Sequence, residues 1–240
     1  MYDADAAPQF DVIDVLLFFG LGSPLFVFVF LVVQAALKIA QVDGEGVRVL
    51  VSQFAGYLAS LIPLYMIAKM KYDRSPLQLA RMSIHHRDVA NSLSLGILTS
   101  IVIVTLSVLL KTPQIKMPME ELLSGTASLV AAALLSVTLG PWFEELIFRG
   151  ILQPLLGRYA GGLAGILISA LMFAALHGPQ YAWSWRHVLL IAVAGAAFGL
   201  RRMLTGSTGA AVVMHAAYNM VLFAAFLAAK FSGAPIPKTI

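Results

Sequence analysis

No charged side chain occurs from Leu122 to Phe143, and the run ends on Glu144-Glu145-Leu-Ile-Phe-Arg149. An apolar stretch of this length spans the roughly 30 Å hydrocarbon core of a bilayer as a helix. Two carboxylates and a guanidinium at its end cost several kcal/mol each unless they are paired or used. At about 100° per residue, Glu145 and Arg149 fall on one helix face, four apart, where they form an ion pair. Glu144 points well away from Arg149 and is left free to act. The plain alternative is a charge cluster that marks a helix end.

The rest of the chain repeats the pattern. Hydrophobic residues make up 60% and charged residues 12% of the 240, against roughly 25% charged in soluble domains, and the mean hydropathy is +0.87. The apolar runs lack the apolar–polar alternation of barrel strands. The expectation is an all-α, polytopic transmembrane bundle of seven to eight helices. The net charge of +4 belongs to loops and does not indicate nucleic acid. Cysteine is absent, which excludes disulfides, thiolate zinc sites and cysteine nucleophiles together. The acidic start MYDADAAPQFDVID is not expected to be a cleavable signal peptide, which needs a basic n-region and a short apolar core.

In chain order, the expected spans are Val15–Leu37 with Pro24, Val49–Ala68 with Pro63, and Val89–Leu110. The polar stretch Lys69 to Asp88 holds Leu77, Leu79, Ala80 and Met82, which suggest a short helix lying in the interface. His85 and His86 sit among its cations and are read as solvated residues, because neutral imidazole ligands avoid cationic surroundings. The fourth span starts at Leu122, and its helix continues past Arg149 toward a turn at Gly161-Gly162. Leu163–Leu176 is the fifth. Val188–Leu200 is short for a span before Arg201-Arg202 and reads as tilted or buried among other helices. Ala210–Ala229 is the last. The segment QYAWSWRH reads as an interfacial aromatic belt. No internal repeat and no linker is visible, so residues 1–240 form one membrane domain. An N-terminus inside places the loop at 69–88, Arg149, Arg158 and Arg201-Arg202 on the cytoplasmic side, a small bias of cations toward that face.

Three further polar residues lie within or at the ends of apolar helices. Phe173-Ala-Ala-Leu-His177 closes the fifth span, and His215-Ala-Ala-Tyr-Asn219 lies within the last, with His215 and Asn219 on one face. Singly, each has a packing role: a buried His bonds a carbonyl, and an Asn joins two helices. Together they suggest more. Glu144 and His177 lie at similar distances, on the order of 22–27 Å, from the turn that joins their helices. A carboxylate facing an imidazole in a dry bundle suits general-base chemistry. His215 and Asn219 add two hydrogen-bond donors of the kind an oxyanion requires.

EELIFR (144–149), FAALH (173–177) and HAAYN (215–219) resemble, in order and approximate spacing, the E-E-x-x-x-R, F-x-x-x-H and H-x-x-x-N motifs of the CPBP family. These are the CaaX-type prenyl-protein proteases and bacteriocin-processing enzymes, also called the ABI family. The resemblance covers roughly residues 120–230, so 122–230 is expected to be the catalytic core and 1–121 a set of N-terminal spans. It implies an intramembrane endopeptidase in which Glu144, helped by His177, polarises a water, while His215 and Asn219 stabilise the tetrahedral oxyanion. Glu145 and Arg149 would hold the helix in register, and Phe173 would pack.

The family has been described both as glutamic-type and as metal-dependent. A zinc site wants three protein ligands and an open position, and His177, His215 and Glu144 would provide the three. Using Glu144 as a ligand removes the base, and no H-E-x-x-H is present, so the residues favour chemistry without a cofactor. The implied partners are a protein or peptide substrate in the membrane and the lipid bilayer, with no nucleic acid. The expected location is multi-pass in a bacterial inner membrane. Two other readings use the same residues: a non-catalytic adaptor or immunity-type protein, and a transporter with a polar intramembrane site.

Overall fold

The computed structural model describes residues 9–115 and 125–232. Eight helices make up this part of the chain, and no strand occurs among the described residues. They are α1 (Val12–Ile39), α2 (Glu45–Tyr72), α3 (Pro76–Leu79), α4 (His86–Leu109), α5 (Thr126–Ala160), α6 (Gly162–His177), α7 (Trp185–Thr205) and α8 (Thr208–Ser232). All but α3 and α6 are long and apolar enough to cross a membrane, and α6 is a shorter apolar helix. The chain is a helical integral membrane protein. The expected start of the fourth span, the loop before it and the tail after Ser232 lie outside the described residues.

Two stretches depart from the expected reading for the same reason: a polar group has a partner inside the bundle. The helix read as Val188–Leu200 is α7, of 21 residues, because Arg201-Arg202 continues it instead of ending it. Arg201 is buried and donates from Nε to Ser92 Oγ at 3.0 Å and from Nη2 to Asp88 Oδ1 at 3.2 Å. Arg149 is likewise buried beside Glu145. Neither arginine is a loop charge, so neither counts toward a cytoplasmic bias.

The helix expected in the interface is the single turn α3, and it faces inward. Leu79 and Ala80 are buried in a core cluster with Leu64, Leu146 and Ile151, Met82 is half-buried, and Leu77 is exposed. The Ala80 carbonyl accepts from Thr208 Oγ1 at 2.6 Å, and the Arg81 carbonyl accepts from Thr208 N at 2.9 Å. A Cβ on Gly150 would lie 2.8 Å from Ala80 Cβ, so the glycine lets this turn close against α5. His85 and His86 are exposed.

α4 lies along α8 at the level of the polar residues. A Cβ on Gly96 would collide with the Met214 carbonyl and lie 2.7 Å from Ala217 Cβ. The missing side chain allows the close backbone approach that small residues give membrane helices. α5 and α6 form a hairpin turned at Gly161 (φ +88°), a left-handed conformation that favours glycine. Gly165 then sits against the Gln153 carbonyl and Gly157.

α5 is not a regular α-helix. Leu135–Leu139 and Leu146–Leu152 are π-helical and flank the α-helical Gly140–Glu145. Each wide turn ends just before a proline, at Pro141 and Pro154. A proline ring clashes with the carbonyl four residues back, and widening the turn relieves that clash. The residue ahead of each proline bonds five back: Gly140 N to Leu135 O, and Gln153 N to Phe148 O. The uniform 100° period expected for this stretch therefore does not hold, and the two glutamates sit on the short α-turn between two widened ones.

Candidate active site

Glu145 and Arg149 come from one turn of α5 and form the expected ion pair, with Nη1 to Oε1 at 2.9 Å and both side chains fully buried. The pair is held from outside its own helix. Arg149 Nη2 donates to the Gly195 carbonyl of α7 at 2.7 Å, and one turn along each helix Gln153 Nε2 donates to the Gly199 carbonyl at 2.9 Å. Gly195 and Gly199 leave room for this: a Cβ would lie 2.9 Å from Arg149 Nη2 at the first and 2.8 Å from Gln153 Oε1 at the second. The guanidinium also lies 4.8 Å from the Phe173 ring centre, 5.6 Å from Phe198 and 5.8 Å from Phe148, where the negative ring faces attract it.

His215 of α8 reaches the same carboxylate. Its Nδ1 is 2.8 Å from Glu145 Oε1, and its Nε2 is 3.8 Å from Glu144 Oε2. The sequence reading pairs Glu144 with His177 and gives Glu145 only Arg149. In the fold it is His215 that lies between the two glutamates. A carboxylate ion-paired with Arg149 only accepts, so His215 Nδ1 carries the proton. Phe198 stacks on the imidazole at 4.5 Å and 18°, and Phe173 meets it edge-on at 5.8 Å.

His177 closes α6 with its Nδ1 2.8 Å from the Phe173 carbonyl. The carbonyl accepts, so this ring too carries its proton on Nδ1 and presents a bare Nε2 when neutral. Phe173 packs beside it at 4.6 Å, and so touches His177, His215 and Arg149 at once.

Asn219 Nδ2 donates to the Ser136 carbonyl at 2.7 Å. The wide turn explains why that carbonyl is free. The register that joins Gly140 N to Leu135 O would next join residue 141 to Ser136, and proline has no N–H to give. Asn219 supplies the missing donor from α8, which leaves its second N–H for other use.

Glu144, His177, His215 and Asn219 all line one cavity of about 330 Å³, together with Phe173. Glu144 is partly open to it, with 26% of its side chain exposed, while Glu145 at 0% lies behind. The walls are mostly apolar, with Leu135, Leu190, Leu222 and Phe226 among them. The cavity also takes residues from helices that the sequence marks only as spans: Gln53 and Tyr57 of α2 and Ile103 of α4. The aromatic belt divides. Trp183 and Trp185 are exposed, whereas Tyr181 turns inward, lines the cavity and stacks on His187 at 4.7 Å. Burial pushes the Tyr181 hydroxyl up to about 12.

Sequence reasoning missed Phe198, the α7 carbonyls, Tyr57, Gln53 and His187. The Arg149/Gln153 and Gly195/Gly199 spacings were the available signal for the α5–α7 clasp, since both are i, i+4 pairs. Nothing local marks the others.

Among the described residues, no group of three His, Asp or Glu side chains is placed to hold a metal ion. The set His177, His215 and Glu144 has its two Nδ1 atoms already committed to Phe173 and Glu145. Both Nε2 atoms stay bare beside Glu144, and an Nδ1–H given to a carbonyl or carboxylate is also how a metal-ligating histidine is oriented.

The family model described as Type II CAAX prenyl endopeptidase Rce1-like matches residues 126–221. The interval holds α5, α6, α7 and the half of α8 with His215 and Asn219; it excludes α1, α2 and α4. No curated protein and no solved structure matches the chain.

Proposed function

We propose, from the premise that residues 126–221 belong to the type II CAAX prenyl endopeptidase Rce1-like family of intramembrane proteases, that this protein hydrolyses a peptide bond near the end of a membrane-associated or lipidated protein. The observation that carries this reading is the convergence of Glu144, His177, His215 and Asn219 on one mostly apolar cavity. A bacterial inner membrane is the proposed location.

In this reading a water in the cavity loses a proton to Glu144 as its oxygen bonds to the peptide carbonyl carbon. His177 Nε2 accepts from the same water and helps to orient it. The carbonyl oxygen becomes an oxyanion, stabilised by donors in the cavity wall. Glu144 then passes the proton to the leaving nitrogen as the C–N bond breaks. Glu145 fixes the His215 ring, and Arg149 fixes Glu145. The free N–H of Asn219 faces this task as an oxyanion donor, while its other N–H holds α5 in shape through Ser136.

Membrane proteomes from cells carrying the active protein or the Glu144→Gln variant test the proposal. A new protein terminus dependent on Glu144 is expected, and identical termini in both would overturn it.

Zinc has no step in this mechanism. Purified enzyme should keep its activity through prolonged treatment with a strong chelator. About one metal per chain by elemental analysis, with activity lost on chelation and restored by zinc, would reassign His177 and His215 as ligands.

Asn219→Ala is expected to lower turnover on the order of 10²–10³-fold with KM little changed, as loss of one oxyanion donor does. Because the Ser136 carbonyl also loses its donor, thermal stability should fall by about 1–3 kcal/mol. Weaker binding at an unchanged rate would make Asn219 a recognition group instead.

A further inference from the structure

We infer that Tyr57 of α2 is a further catalytic residue: its hydroxyl donates a hydrogen bond to the oxyanion formed in the cavity. The inference rests on the protease reading above and adds a residue from outside the segment matched by the family model, residues 126–221.

Without Tyr57 the site is short of donors. With Nδ1 engaged by Glu145, a neutral His215 presents a bare Nε2, which accepts and does not donate. Asn219 has spent one of its two N–H groups on Ser136. The neutral site therefore offers one assured donor on α8. A developing negative charge is stabilised better by two preorganised donors than by one.

Tyr57 lines the same cavity as Glu144 and Asn219. Its hydroxyl oxygen accepts from Gln53 Nε2 at 2.8 Å. That bond occupies a lone pair and leaves the O–H proton to be given away. Among the described residues, no acceptor for that proton is found. A neighbouring donor also polarises the hydroxyl and makes it a stronger donor in turn.

The ring is held firmly. Phe143, the residue before Glu144, stacks on it at 4.3 Å and 20°, and Phe26 lies against it at 5.5 Å. Gly56 makes room for Phe26, since a Cβ there would lie 2.7 Å from the Phe26 ring. A polar pair one turn apart, lining the cavity and braced by two aromatic contacts, is the arrangement of a preorganised donor. No proton is transferred: Tyr57 keeps its O–H, and the proton from water still travels through Glu144 to the leaving nitrogen.

The test uses full-length protein in liposomes and an internally quenched, farnesylated peptide ending in a CaaX sequence. If wild-type protein does not turn this peptide over, the same comparison is made on the Glu144-dependent terminus found in membranes. Tyr57→Phe keeps both ring contacts and removes only the hydroxyl. It should lower kcat on the order of 10²-fold, with KM within about twofold and only the small loss of stability that follows when Gln53 Nε2 loses its acceptor. An unchanged kcat, or a raised KM at constant kcat, overturns the assignment. Should Tyr57→Phe fail to fold, 3-fluorotyrosine at position 57 keeps the ring and makes the hydroxyl a stronger donor. A changed kcat at normal stability then supports the role, and an unchanged one overturns it. Glu144→Gln run in parallel separates the two readings. Retained cleavage there sinks the protease mechanism itself, whereas a dead Glu144→Gln beside a fully active Tyr57→Phe sinks only this inference.

Discussion

Glu144→Gln should abolish cleavage and leave a folded, membrane-inserted protein. The amide has the shape of the carboxylate but cannot take a proton from water, so the base is lost while the packing stays. Glu144 is the partly exposed member of the pair, with His215 Nε2 3.8 Å from its Oε2. No buried ion pair depends on it. Abundance, thermal unfolding and detergent elution should therefore match those of the parent protein, and the rate should drop below detection. Cleavage within a few-fold of the parent would remove Glu144 from the chemistry.

Arg149→Ala should act in the opposite way, through stability first. Removing it leaves Glu145 as a buried carboxylate with only His215 beside it, and breaking a buried ion pair costs about 3–5 kcal/mol. The substitution also empties the space among Phe148, Phe173 and Phe198 and frees the Gly195 carbonyl. Low abundance and early thermal unfolding are expected. Residual folded protein should be inactive as well, because Glu145 no longer holds the His215 ring in place. Arg149→Lys should not restore it, since one ammonium cannot serve Glu145, Gly195 and three ring faces together. Normal stability and normal activity in Arg149→Ala would mean that the pair is not structural.

These two outcomes differ because neighbouring residues on α5 face different surroundings, and the sequence states only part of that difference. Glu145 and Arg149 are four apart, and a helical backbone brings such residues together whatever else the fold does. Their pairing was legible for that reason. So was the membrane bundle, since apolar length against bilayer thickness is a property of each segment alone. The three motif-bearing helices were legible on the same terms, and all four proposed catalytic side chains do reach one cavity.

Local period fails where a partner lies far along the chain. His215 meets Glu145 across 70 residues, Asn219 meets Ser136 across 83, and Arg149 meets Gly195 across 46. Which histidine touches which glutamate is decided by how α6 and α8 pack on α5, and the segments taken singly do not encode that. The length of α7 is another case. Arg201 reads as a helix end until Asp88 and Ser92 come beside it, because a buried charge is tolerated only with a partner. The cavity wall from α2 is the last. Nothing in an apolar span distinguishes Tyr57 from a lipid-facing tyrosine, and only the packing of α2 in the bundle makes it line the cavity. Apolar length and helical spacing suffice for the membrane bundle, for the helices that bear the charges and for the Glu145–Arg149 pair. Long-range packing sets the proton-bearing nitrogen of His177 and of His215, the donor that completes the turn before Pro141 and the helix that closes the site.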